Sequence, residues 1–299
     1  MVLERNHSAL VFTPFNTRIM KGAILGDIVG SRFEGKSAVA GKLQMKLASA
    51  GKIAGRILPP NKTTDFTLLT PECHFTDDTV LTVAVADAIL HQKDYGETIK
   101  DYALRYPDAG YGGTFRKWMR DELEEEYRSW GNGSAMRVSP VGWLFNDLET
   151  VLAQAKASAV PTHGHPEGVK GAQAIAAAIF LARRGGGKED IRRYITETFG
   201  YNLRRTIEEI RPEYVFDVSC QGSVPEAIIA FLDSKNLVDS IRLAVSLGGD
   251  TDTQAAMAGC IGEAFYGPVA PALEEVMNAF LPNDLIGVIG AFDRTLQVG

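Results

Sequence analysis

Cysteine is scarce: three in 299 residues, Cys73, Cys220 and Cys260, far apart and with no CxxC pair. An odd number so spaced excludes a disulfide framework and points to a reducing, cytoplasmic setting. No run of about 18 apolar residues occurs, so no membrane span is expected. The first nineteen residues, MVLERNHSALVFTPFNTRI, lack a basic start followed by an apolar core, and do not read as a secretory signal. Positive charge is not in excess. Against 31 Lys and Arg stand 37 Asp and Glu, a net charge of −6, which argues against a dedicated nucleic-acid binder. With 45% hydrophobic residues, 30 Gly and 13 Pro, the composition excludes disordered and collagen-like chains.

Strand-like alternation is also scarce. What is present is helical periodicity. The pattern predicts helices over Thr79–His91, Glu97–Arg105, Thr114–Tyr127, Ala135–Phe145, Val151–Ser158, Pro166–Arg184 and Lys188–Phe199. Further helices are predicted over Pro225–Leu232, Leu237–Ser246, Thr253–Phe265, Pro271–Phe280 and Asp284–Leu296. The expected architecture is all-α, a single compact multi-helix domain over 20–299. Residues 36–72, rich in Lys, Gly and Thr, are expected to form an irregular insertion or lid. Residues 1–19 are expected to be an N-terminal extension. Met20 opens MKGAILGD, an alternative start, so the extension is either an arm with a role or an upstream addition.

The run Gly30-Ser31-Arg32-Phe33-Glu34-Gly35-Lys36-Ser37 fits GxxxxGK[ST]. A phosphate-binding loop of this kind must follow a buried strand and open a helix. Asp27 interrupts the preceding apolar segment, and Glu34 would set a negative charge beside a polyphosphate. The match is read as coincidental.

Two short segments carry the more informative chemistry. His74-Phe75-Thr76-Asp77-Asp78-Thr79 precedes an apolar predicted helix, and Gly248-Gly249-Asp250-Thr251-Asp252-Thr253 precedes another. Each puts two carboxylates and threonine hydroxyls at a helix start. Helix capping accounts for one side-chain oxygen per cluster, but each supplies several. Carboxylates packed beside buried helices are costly without a cation. Oxygen donors with no nearby cysteine select a hard ion, Mg²⁺ or Mn²⁺, and four carboxylates suffice for two metals.

These blocks, with GAILGDIVGSRFEG (22–35), GNGSAMRVSPVGWL (131–144), THGHPEGVKGAQAIA (162–176) and SVPEAIIAFL (223–232), resemble the ADP-ribosylglycohydrolase family. The resemblance implies an all-α fold, two Mg²⁺ or Mn²⁺ ions, and hydrolysis of the bond joining ADP-ribose to a protein side chain or small acceptor. It implies metal ligation by Thr76, Asp77, Asp78, Asp250, Asp252, Thr253 and Glu34. Catalytic carboxylates would be Glu34, Asp77 and Asp78. The substrate diphosphate and neighbouring ribose would sit at Gly131, Asn132, Gly133, Ser134, Ala135, Met136 and Arg137, with His163 nearby. Small residues with free amides at a helix start form a ready anion site. Asp27 would be an acid that orients the ligands. Some members of the family are immunity proteins, so an ADP-ribosyltransferase toxin is a further expected partner, through residues 1–19. Nucleic acid is expected only as a modified substrate. A metal-dependent nucleotide phosphohydrolase is the rival reading.

Overall fold

The computed structural model of the chain describes residues 20–34 and 61–295. The expected arm over 1–19, and residues 36–60 of the expected insertion, lie outside the described residues. Among the described residues there are fifteen helices and no strand, in keeping with an all-α fold.

Two apolar helices form the centre. Helix α2 (Asp77–Leu90) is buried from Asp78 to Ala88, and α13 (Thr251–Tyr266) from Thr251 to Glu263. Helix α1 (21–34) lies directly on α13. Gly22, Gly26 and Gly30, each four residues after the last, share one face of α1. A methyl group on any of them would overlap the α13 backbone, at Gly259, Ala255 and Thr251 respectively. This close approach explains the glycines of GAILGDIVG better than a phosphate loop does. Residues 30–34 are the last turn of α1, so the strand-then-loop context of a phosphate-binding motif is missing there. Gly35, Lys36 and Ser37 lie outside the described residues.

Around this centre pack α3 (Tyr95–Arg105), α4 (Gly113–Met119), α5 (Gly133–Met136), α6 (Ser139–Leu144), α7 (Leu148–His163) and α8 (Pro166–Arg183). Then come α9 (Lys188–Phe199), α10 (Ile207–Ile210), α11 (Cys220–Asp233), α12 (Leu237–Val245), α14 (Pro271–Asn278) and α15 (Asn283–Thr295). Helix α13 packs on α8, α11 and α12, and α2 on α3, α6 and α15.

Several boundaries differ from the periodicity. The helix predicted to reach Tyr127 stops at Met119, and Asp121 turns the chain with φ +58°. The sequence beyond, DELEEEY, would stack Glu122 on Glu126 one turn apart, a like-charge pair that weakens a helix. The span predicted over Ala135–Phe145 divides into α5 and α6, because Pro140 starts a new helix at its second position. Helices α7 and α11 are longer than predicted and contain Pro161 and Pro225 internally. The Ser219 hydroxyl caps α11 by accepting from the Gly222 amide at 3.0 Å, which starts the helix before Pro225.

Residues 61–72 contain no helix. This segment is strapped over the entry to α13. Lys62 Nζ donates to the carbonyls of Tyr214 and Leu247, each at 2.6 Å, and Arg242 donates to the carbonyls of Thr64 and Phe66. No helix among the described residues is long and apolar enough to cross a membrane.

Candidate metal centre

The N-terminal turns of α2 and α13 meet. Thr253 Oγ1 donates to Asp78 Oδ2 at 3.2 Å. The last turn of α1 brings in Glu34, half-buried, so that oxygens of Glu34, Asp250 and Asp252 lie within 4.8 Å of one another. Asp78, Asp250 and Asp252 are buried here, as are Thr76 and Thr253, and Asp77 is half-buried beside them. Every residue that sequence reasoning named as a metal ligand is therefore in this one region.

Asp27 is the anchor of the first cluster. It is fully buried on α1, one turn before Ser31. The Thr76 amide donates to Asp27 Oδ2 at 2.9 Å and the Thr76 hydroxyl to Oδ1 at 2.8 Å. The Thr79 amide donates to Oδ2 at 3.1 Å, and the Thr79 hydroxyl donates there too. With its proton committed to Asp27, Thr76 Oγ1 keeps lone pairs for the Asp78 amide, which it caps at 3.2 Å, and for a ligand.

Burial and like charge set the electrostatics of the site. Burial, then the neighbouring charges of Asp27, Asp250 and Glu34, push the Asp77 carboxyl up to about 8. Burial pushes Asp250 up to about 7 against the pull of a hydrogen bond from Asn132. Asp78 and Asp252 stand well above the usual carboxylate range, by burial and by their acidic neighbours. Burial also raises Asp27, while its four donors from Thr76 and Thr79 pull it back. Among the described groups named for these shifts, the charged ones are all acidic. Asp78 Oδ1 is buried without a hydrogen-bond partner. Such a set is stable in its ionised form only around cations, and its all-oxygen donors fit hard divalent ions.

The 131–137 loop stands against this centre. Asn132 Nδ2 donates to Asp250 Oδ2 at 2.7 Å and to Ser223 Oγ at 3.2 Å, so this side chain supports the second cluster. Most of the loop's amides are already used. Gly131 donates to Ser129 Oγ, Asn132 to the Val218 carbonyl, and Ala135 and Met136 to the Asn132 carbonyl. That leaves the amides of Gly133 and Ser134 at the start of α5. His163 lies beside them: a methyl on Gly133 would stand 2.9 Å from its Cε1 and Nε2.

Three expected substrate contacts need correction. Arg137 is fully buried and donates through Nη2 to the Ser158 carbonyl and Thr162 Oγ1, both at 2.8 Å. It sits behind the loop and does not reach a diphosphate directly. Ser134 is likewise fully buried, its hydroxyl donating to the Gly168 carbonyl at 2.7 Å, and Ala135 is core. Loop 107–113, expected from the sequence on the acceptor side, adjoins the first cluster. The Asp77 amide donates to the Ala109 carbonyl at 2.7 Å, and Gly110, with φ +113°, passes close to Asp77 Oδ1. The glycines of PDAGYGG were the available signal. Trp130, about half exposed, immediately precedes the loop and was not singled out.

A model of the ADP-ribosylglycohydrolase family matches residues 18–275. The chain belongs to the ADP-ribosylglycohydrolase family. As a member, it is an enzyme of the glycohydrolase class. ADP-ribosylhydrolase ARH3 of Gallus gallus is 29% identical, over 87% of this chain and 88% of its own. The ARH3 of Homo sapiens is 28% identical, over 83% and 84%. Uncharacterized protein YegU of Escherichia coli (strain K12) is 29% identical, over 88% and 92%. A solved structure described as an ADP-ribosylglycohydrolase-related protein complex shares the fold, with a TM-score of 0.61 at 22% identity, over 93% of this chain and 94% of that one.

Proposed function

We propose that the protein hydrolyses the glycosidic bond between ADP-ribose and an acceptor, releasing ADP-ribose, with two Mg²⁺ or Mn²⁺ ions at the acidic centre. The observation that carries this is the convergence of Glu34, Asp250 and Asp252 within 4.8 Å beside Asp77 and Asp78. Thr76, Asp77, Asp78, Asp250, Asp252, Thr253 and Glu34 would hold the ions. Bound there, such ions lower the pKa of a coordinated water or sugar hydroxyl.

The chain's own residues do the rest. Glu34, the half-buried acid at the rim, or Asp77 serves as the general acid or base at the anomeric centre. That carbon gains oxocarbenium character as the acceptor departs. The free amide of Gly133 receives the diphosphate, and Asn132 ties its loop to Asp250. Loop 107–113 crosses Asp77 and borders an open groove of about 290 Å³ lined by Phe75, Arg105 and Tyr106, which suits the acceptor side. Three unpaired cysteines fit a reducing, cytoplasmic setting.

The test offers arginine-, serine- and nucleobase-linked ADP-ribose, each with Mg²⁺, with Mn²⁺ and with chelator. Free ADP-ribose released only with metal is the expected product. AMP or inorganic phosphate instead would favour a phosphohydrolase, and release undiminished by chelator would remove the ions from the proposal.

A further inference from the structure

Arg137 is the largest fully buried side chain among the described residues, and burial of a guanidinium needs a reason. Among the described residues no carboxylate pairs with it, and its Nε and Nη1 are buried without partners. Its Nη2 meets two oxygens, the Ser158 carbonyl and Thr162 Oγ1. Thr162 Oγ1 in turn lies 2.7 Å from His163 Nδ1.

The direction of these bonds follows from donor chemistry. A guanidinium only donates, so Thr162 Oγ1 accepts from Arg137. The hydroxyl has one proton of its own, and of the two groups that meet Thr162 Oγ1, the Arg137 guanidinium and His163 Nδ1, only the ring nitrogen can accept it; buried hydroxyl protons are paired. Nδ1 therefore accepts. A neutral imidazole that accepts at Nδ1 carries its proton at Nε2. That nitrogen lies on the ring edge facing Gly133 and Gly131, where the diphosphate loop opens.

We propose that Arg137 and Thr162 are positioning residues that hold His163 as a neutral Nε2–H donor aimed at the diphosphate of ADP-ribose. The inference rests on the site reading above and assigns a purpose to the buried arginine. The chain of bonds sends the arginine's preference for donating through one hydroxyl to the far side of the imidazole. Deep burial, and after it the neighbouring Arg137 cation, also disfavour a charged ring and hold His163 well below its ordinary pKa.

Long-range ¹H–¹⁵N correlation spectra distinguish the two neutral tautomers and the imidazolium. The chain has five histidines, and His163→Gln assigns the signal. In wild-type protein without ligand, His163 is expected as the Nε2–H tautomer. In Thr162→Val the Nδ1–H form should become populated, and ADP-ribose affinity by calorimetry should fall about five- to tenfold, the scale of one lost hydrogen bond. Thr162→Ser should restore both. An Nδ1–H or charged His163 in the wild type would overturn the inference, as would a folded Thr162→Val variant with unchanged tautomer and affinity. The wild-type spectrum decides even if Thr162→Val fails to fold. Wild-type protein that binds no ADP-ribose would defeat the proposed function separately, because the tautomer is read without ligand.

Discussion

Thr253 Oγ1 donates to the Asp78 carboxylate at 3.2 Å, joining two residues 175 positions apart. Each belongs to the first turn of a buried helix, α2 or α13. The bond therefore sets the N-termini of the two central helices face to face, and the acids of both clusters follow. Those helix ends favour negative charge, but two half-charges cannot balance the four carboxylates of Asp77, Asp78, Asp250 and Asp252, three of them buried. The arrangement makes sense as a cradle for divalent ions, and it yields predictions that separate ligation from folding.

Asp77→Ala and Asp252→Ala are expected to retain helical content and lose most ADP-ribose release. Each removes a charge that repels its neighbours, so the metal-free fold should not suffer. Circular dichroism and product release, measured side by side with excess Mg²⁺ or Mn²⁺, check this. Full turnover by either variant would end the two-metal assignment.

The metal-free protein should become less stable as pH rises. Asp77 and Asp250 are pushed up to about 8 and about 7 in the folded chain, against an unfolded value of roughly 3.9. Between those values the folded state holds more protons than the unfolded one, so stability falls with pH. Their contribution is complete below about pH 4 and is lost through pH 7 to 8. Ions displace the same protons, so metal affinity should rise over that range with proton release. Melting curves in chelator at pH 5 and pH 8, and calorimetry in buffers of different ionisation enthalpy, measure both effects. A melting temperature that rises toward pH 8, unaltered by Asp77→Asn, would contradict the assignment.

Asp27→Asn tests orientation apart from ligation. Asp27 receives four hydrogen bonds from Thr76 and Thr79 and so aims the Thr76 hydroxyl. An asparagine has one acceptor oxygen fewer and presents a donor to groups that already donate. Metal affinity should drop about 10- to 100-fold, as for other residues that orient ligands. Titration with Mn²⁺ followed by electron paramagnetic resonance gives the number directly.

Much of this was legible in the residues. FTDDTV and GGDTDT disclosed both clusters because polar side chains are conspicuous at the start of apolar helices. Helix α9 matched its prediction, Lys188–Phe199, since its amphipathic pattern and the left-handed Gly200 mark both ends. Helix α1 was harder. Its three glycines lower helix propensity, and only the partner helix, far along the chain, explains them. Arg137 was misplaced for a related reason. An arginine beside GNGS looks like a phosphate ligand, and nothing local shows that Ser158 and Thr162 of α7 already take it. Asn132 likewise sits in the expected loop, yet its side chain belongs to Asp250.

The contact of α1 with α13 makes the last prediction, because it ties a glycine with no polar chemistry to metal binding. A methyl at Gly26 would overlap the Ala255 carbonyl, backbone that cannot rotate aside. Helix α1 must then lift, carrying Asp27 away from Thr76 and Glu34 away from Asp252. Gly26→Ala should cost about 1–3 kcal/mol, as overpacking does, and should weaken metal binding although no ligand has changed. Gly287→Ala in α15 is the control, for its added methyl meets open space. There the change should be neutral or stabilising by up to about 1 kcal/mol, from helix propensity alone. Urea midpoints for the two variants, with and without Mg²⁺, compare the effects. If Gly26→Ala bound metal as tightly as the Gly287→Ala control, α1 would not be what positions Asp27 and Glu34.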